Sequence, residues 1–254
     1  MRSARLALVP AVLLTAACFQ GQRVVKINAD GSGTIVDTVK MGEQAKSMMA
    51  AMEEMDKSSP AEKKTKKEAK FKERATAMGL TFVSHEATPD GGQRTTYTFK
   101  DVTAIKITGT PTMENEKADS SEAPLVFKFG KSGANSVLTV VHPKPKVDAS
   151  AAKEKKAPPK PEEIQQALTM MKGMMAGLKM SFQVQTAGKL VKTSSPFVAG
   201  NTVTLMEMDF DQLDEASLKK LAAADKDGPP PMDLLKTLKG VKATDGDVTI
   251  EFSK

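Results

Sequence analysis

The chain has 254 residues, of which 37 are basic and 31 acidic, for a net charge of +6; 40% are hydrophobic, with no Trp, one Tyr and one Cys. That is apolar content for one core or two small ones. The mild basic excess and the missing aromatic platforms exclude a nucleic-acid binder and argue against flat sugar-stacking surfaces, and a lone cysteine excludes an internal disulfide.

At the N-terminus Arg2 and Arg5 precede the apolar run Leu6 to Ala17, and small residues lead into Cys18. This is the three-part layout of a secretory signal, and the run is shorter than the roughly 20 apolar residues a membrane-spanning helix needs. Leu14-Thr15-Ala16-Ala17-Cys18 resembles the lipobox of bacterial lipoproteins, with the usual leucine one place early and Thr15 in its slot. The resemblance implies a diacylglyceryl group on the Cys18 sulfur and cleavage after Ala17, with residues 1–17 as signal peptide and 18–22 as a short lipidated tether. The mature charge is then +4, because Arg2 and Arg5 leave with the signal. The competing readings are an ordinary signal peptide followed by a free cysteine, and an N-terminal core helix. Lipidation also accounts for a solitary thiol in an exported protein. Phe19 in place of aspartate after the cysteine implies, by the lipoprotein sorting pattern, the outer membrane facing the periplasm if the organism has two membranes.

Residues 23–141 read as an α+β region. Arg23 to Ile27 and Thr34 to Val39 alternate around Asn28-Ala29-Asp30-Gly31-Ser32-Gly33 and predict a hairpin. Gly42 to Asp56 predicts a helix with an apolar stripe of Met41, Ala45, Met48, Met52 and Met55. Ser59-Pro60-Ala61-Glu62 is a capping box with proline at the first helical position, opening a second helix that ends at Gly79; together they form a helical hairpin inserted between strands. Two more hairpins follow, Leu80 to Ala87 with Arg94 to Phe99, and Leu125 to Lys131 with Ser136 to Val141.

Residues 142–161, rich in Pro, Lys and Ala, read as a flexible connector. Residues 162–254 form a second α+β region sharing one sheet with the first: a helix from Glu162 to Leu178 with Ile164, Leu168, Met171, Met175 and Leu178 on one stripe, strands at Met180 to Gln185, Leu190 to Thr193 and Thr202 to Met208, a short helix near Glu215 to Ala224, another to Leu238, and a last strand Val248 to Phe252. The predicted fold is therefore α+β, antiparallel hairpins with interposed Met-rich amphipathic helices.

VVKINADGSGTIVDTV after the cysteine and AGKLVKTSSPFVAGNTVTLMEMDF further on resemble families of uncharacterised bacterial lipoproteins, including the mycobacterial LppM type. LppM-type proteins typically end in a transmembrane segment, whereas the last residues here are Glu251-Phe252-Ser253-Lys254. The resemblance implies an envelope lipoprotein with an α+β domain and transfers no catalytic residue.

No motif names a reaction. Gly130-Lys131-Ser132 lacks the upstream glycine of a phosphate loop, its place being held by Leu125. Asp30-Gly31-Ser32-Gly33 and Asp225-Lys226-Asp227-Gly228 lack the ligand ladder of a calcium loop and read as turns. His85 and His142 have neither a metal-binding spacing nor a nucleophile partner and read as exposed turn residues. The methionines stand out: Met48, Met52, Met171 and Met175 fit a plain core, a groove for a lipid or partner, or, least of the three, a Cu(I) site. Lys63, Lys67, Lys70 and Arg74 line one side of the second helix, opposite Phe71, Ala75 and Met78, as a solvated face that also suits a membrane surface.

The reading that results is a lipid-anchored cell-envelope protein of binding or structural type, with Cys18 as lipidation site, no catalysis, no cofactor and no metal. Its partners are the membrane through the N-terminal lipid and envelope proteins or lipids, with no nucleic acid. A carrier or sensor with a Met-lined groove is the alternative, and an envelope hydrolase a distant third.

Overall fold

The computed structural model describes residues 19–43, 46–47, 51, 58–111, 123–142, 172, 175–223, 232–244 and 246–254. Twelve strands run among them: β1 Phe19–Ile27, β2 Gly33–Met41, β3 Thr81–Ala87, β4 Gln93–Phe99, β5 Val126–Ser132, β6 Asn135–Val141, β7 Lys179–Thr186, β8 Leu190–Thr193, β9 Val198–Ala199, β10 Thr202–Asp209, β11 Val241–Ala243 and β12 Val248–Phe252. The helices described with both ends are α1 Pro60–Ala77, α2 Glu215–Ala223 and α3 Met232–Leu235.

The α+β expectation is overturned. Among the described residues the structure is mostly β, 45% strand against 23% helix, in two sheets. The reason lies in where burial occurs. Val25, Ile27, Ile35, Phe99, Phe182, Val184 and Leu205 of one sheet meet Phe127, Leu138, Val140, Ile250 and Phe252 of the other in one core, to which α1 adds only Ala75. Two sheets can bury each other without a helical layer, and here β-branched and aromatic strand residues do so. No methionine is among the fully buried core residues of the described chain; Met78 and Met206 pack at its margin.

The large sheet has the order β11-β10-β7-β1-β2-β4-β3, with β9 added beside β10; the small sheet has the order β5-β6-β12-β8. Both therefore mix strands from before residue 142 and after residue 161. All pairings are antiparallel except β1 with β7, which run parallel with Gln20 opposite Lys179 and Ile27 opposite Thr186, a departure from the purely antiparallel expectation. Strand β1 begins at Phe19, so residues 19–22, expected as tether, are already hydrogen-bonded sheet, with Phe19 opposite Met41.

Helix α1 starts as its sequence predicts. The Ser59 hydroxyl accepts from the Glu62 N–H and the Glu62 carboxylate accepts from the Ser59 N–H, a complete capping box. It stops at Gly79, whose φ of +73° is open to glycine; Gly79 N–H donates to the Thr76 carbonyl and Leu80 N–H to the Ala75 carbonyl. The helix lies on β3, where Phe71 stacks on Phe82 at 5.8 Å and on His85 at 4.4 Å. A satellite cluster of Leu213, Leu218 and Leu238 closes α2 and α3 against Phe210 and Val241. Most of the predicted helix 42–56, all of the connector but His142, and most of the 162–178 helix, as well as Asp225 to Gly228, lie outside the described residues.

Candidate binding face of the large sheet

Side chains alternate across a strand, so one face of the large sheet must leave the core when the other enters it. Inward go Arg23, Val25 and Ile27 on β1 and Ile35 and Asp37 on β2; outward go Gln22, Val24 and Lys26, and Thr34, Val36 and Thr38. Register carries this alternation across five strands. Arg94, Thr38, Gln22, Ser181 and Glu207 form one cross-strand row; Thr96, Val36, Val24, Gln183 and Thr204 the next; Thr98, Thr34, Lys26, Gln185 and Thr202 the third.

The three rows floor a shallow solvent-open trough of about 510 Å³. It continues into a concavity of about 320 Å³ beside Gln20, Lys40 and Lys179, and one of about 230 Å³ beside Asn28 and Asn201. The floor is hydroxyl and amide with a small apolar centre at Val24 and Val36, and no aromatic ring lines the main trough. Gln22 and Gln183 touch only at 3.5 Å, a weak contact that leaves their amides available.

Charge is arranged unevenly. At one rim Lys40 pairs with Asp90 at 3.3 Å, Lys179 with Asp209 at 3.0 Å and Lys242 with Glu207 at 2.7 Å. Hydrogen bonding to Asp209, then its charge, raises the Lys179 ammonium. Burial pushes Asp209 up, but hydrogen bonds from Lys179 and Gln212 outweigh it and hold the carboxyl below its usual value. Lys26 and Arg94 are exposed and form no ion pair with a described residue. The face can therefore accept hydrogen bonds and an anionic group along an extended ligand.

Directly behind it, on the core side, Arg23 is 1% exposed and Asp37 4%. The guanidinium donates from Nε and Nη2 to the two carboxylate oxygens at 2.7 and 2.6 Å, and from Nη1 to the Thr108 carbonyl at 2.8 Å. The pair ties β1 and β2 to the segment before residue 111. Nearby, burial first and the Asp37 charge second push the Tyr97 hydroxyl up to about 12.

The residues singled out from sequence fall elsewhere. Cys18 precedes the first described residue, and Met48, Met52 and Met171 also lie outside. Met175 is half-buried at a pocket of about 190 Å³ with Phe210, Leu213 and Leu218. On α1, Lys63, Lys67 and Arg74 are half-buried and engaged with other groups, while Lys70 is exposed. His85 is not a turn residue: it sits half-buried in β3, its Nδ1 2.9 Å from the Thr95 hydroxyl. His142 directly follows β6 and donates from Nδ1 to the Gly246 carbonyl.

Lys131 and Ser132 finish β5; the lysine reaches the Ala29 carbonyl and the Ser136 hydroxyl, stitching the small sheet to the β1–β2 turn. In that turn Asp30 accepts from the backbone and hydroxyl of Ser32, a closed local turn. Among the described residues no group of three or more His, Cys, Asp or Glu is placed to hold a metal, and no helix is long and apolar enough to cross a membrane.

No family model matches the chain and no curated protein matches it. Among solved structures it is similar to the folded domain of Mycobacterium tuberculosis LppM, determined by NMR, with a TM-score of 0.31 and 8% identity over 96% of this chain and 95% of that one. The similarity is distant.

The trough was invisible to local sequence reading. Each strand supplies two or three polar residues at alternate positions, which any solvated strand also does. What assembles them is the parallel pairing of β1 with β7, across more than 150 residues of chain.

Proposed function

We propose that this is a lipid-anchored protein of the bacterial cell envelope, without catalytic activity, that holds a hydrophilic envelope partner on the outer face of its large sheet. The observation that carries the anchoring is the position of Cys18: it ends a lipobox-like run and stands one residue before β1. The trough supports the binding part, since it offers amides, hydroxyls and two cations that pair with no described acid, set in rows rather than in a convergent pocket around a nucleophile.

A photo-cross-linking residue at Gln183, on the floor of the trough, tests the reading in living cells. Adducts are expected there and in the membrane fraction, and not from the same residue at Val126 on the outside of the small sheet. Absence of any adduct at Gln183, or equal adducts at both positions, would contradict a specific binding face.

A further inference from the structure

The end of the large sheet that carries the lipid attachment point differs in chemistry from the opposite end. Register brings Phe19 opposite Met41 at the outer limit of β1 and β2, and Met180 opposite Met208 where β7 starts and β10 ends. These four side chains are half-buried, so part of their apolar surface stays open, while Phe210, immediately after β10, packs on the α2–α3 cluster. The far end of the same strands is closed by the polar and small residues of Asn28 to Ser32, Ala187-Gly188 and Gly200-Asn201, with Val198 of β9, 44% exposed, as an apolar side chain beside them.

Acyl chains on Cys18 must enter the hydrocarbon, so the Cys18 backbone lies at headgroup level. Consecutive Cα atoms are 3.8 Å apart, and each headgroup layer is roughly 5 to 8 Å deep, the difference between the hydrocarbon core and the full bilayer. A strand that starts at Phe19 leaves no tether to lift the domain clear. Resting on the lipid-anchor reading above, we propose that this end of the sheet docks on the lipid surface itself, with Phe19 and Met41 seated in the headgroup layer and the trough opening beside the membrane. Lys40, Lys179 and Lys242 at this rim are each paired with an acid, so apolar contact and the acyl chains hold the contact and anionic lipid adds nothing to it.

The chain has no tryptophan, so a single introduced one reports depth without background. Full-length lipidated protein carrying Met41→Trp, reconstituted in phosphatidylcholine vesicles with brominated acyl chains, is expected to lose emission and shift to the blue. Val198→Trp, at the other end of the sheet, is expected to do neither. Phe19→Trp serves as the second probe should Met41→Trp fold poorly, and the same loss is expected with or without an anionic lipid in the vesicle. Unquenched probes at both 41 and 19 in a sample whose mass shows the lipid on Cys18 would overturn the docking while leaving the anchor intact. Quenching only with anionic lipid would overturn the apolar contact in favour of a basic face. A mass without lipid would remove the anchor reading and the docking with it.

Discussion

Arg23 and Asp37 face each other across β1 and β2 inside the core, joined by two hydrogen bonds of 2.7 and 2.6 Å with almost no solvent exposure. A buried pair of this kind is not in itself a strong source of stability, because both ions lost their hydration. Breaking it is another matter. Arg23→Ala leaves an uncompensated carboxylate and a severed tie to Thr108, and the expected cost is about 3 to 5 kcal/mol. Arg23→Met with Asp37→Leu should recover much of that loss. Urea denaturation of the parent and both variants checks this; a cost of Arg23→Ala below about 1 kcal/mol would mean the pair behaves as a surface salt bridge.

Tyr97 gives a spectroscopic handle on the same core. Its hydroxyl ionises at about 12 in the fold, against about 10 in an unfolded chain. The folded state therefore keeps its proton longer. The stability this brings is complete below pH 10 and falls away between 10 and 12, by about 2 to 3 kcal/mol in all. With one tyrosine and no tryptophan, absorbance of the phenolate follows Tyr97 alone. Titration of the native protein near 10 would show that the ring is not buried as described.

Helix α1 is fixed at both ends by short-range chemistry. Ser59→Ala removes one arm of the capping box and should cost about 1 kcal/mol. Gly79→Ala should cost more, because φ of +73° disfavours a side chain and a Cβ there would meet the Ala104 carbonyl at 2.8 Å. Thermal unfolding of both variants gives the order; equal effects would contradict the close approach.

Lys26→Glu with Arg94→Glu reverses the two cations of the trough that pair with no described acid. Both side chains are exposed, so stability should stay within about 0.5 kcal/mol of the parent. The adducts formed from Gln183 should be lost. Retention of those adducts in the reversed variant would show that charge on this face plays no part in recognition.

Ten of the twelve described strands were legible in the sequence to within a few residues, because alternation and turn chemistry at Asn28 to Gly33 or Ser132 to Asn135 are local signals; β9 and β11, two and three residues long, are too short to show a period and were not legible. The capping box at Ser59 was equally plain. The fold class was not, since the methionine spacing suggested that helices carry the core while Phe127, Leu138, Phe182 and Phe252 carry it between two sheets. Arg23 sits at an inward position of β1, where an alternating pattern expects an apolar residue, and only the pairing with Asp37 explains it. The trough depended on β1 meeting β7, a long-range parallel contact with no local signature.

On the proposed reading Cys18 is the acylated first residue of the mature protein, one residue before the sheet. Intact mass spectrometry of the protein extracted from the membrane fraction tests it most directly. The expected mass is that of a chain beginning at Cys18 and carrying a diacylglyceryl adduct, with Cys18→Ala left as unprocessed or misprocessed precursor. A wild-type chain cleaved at another bond, with an unmodified thiol at Cys18, would contradict it.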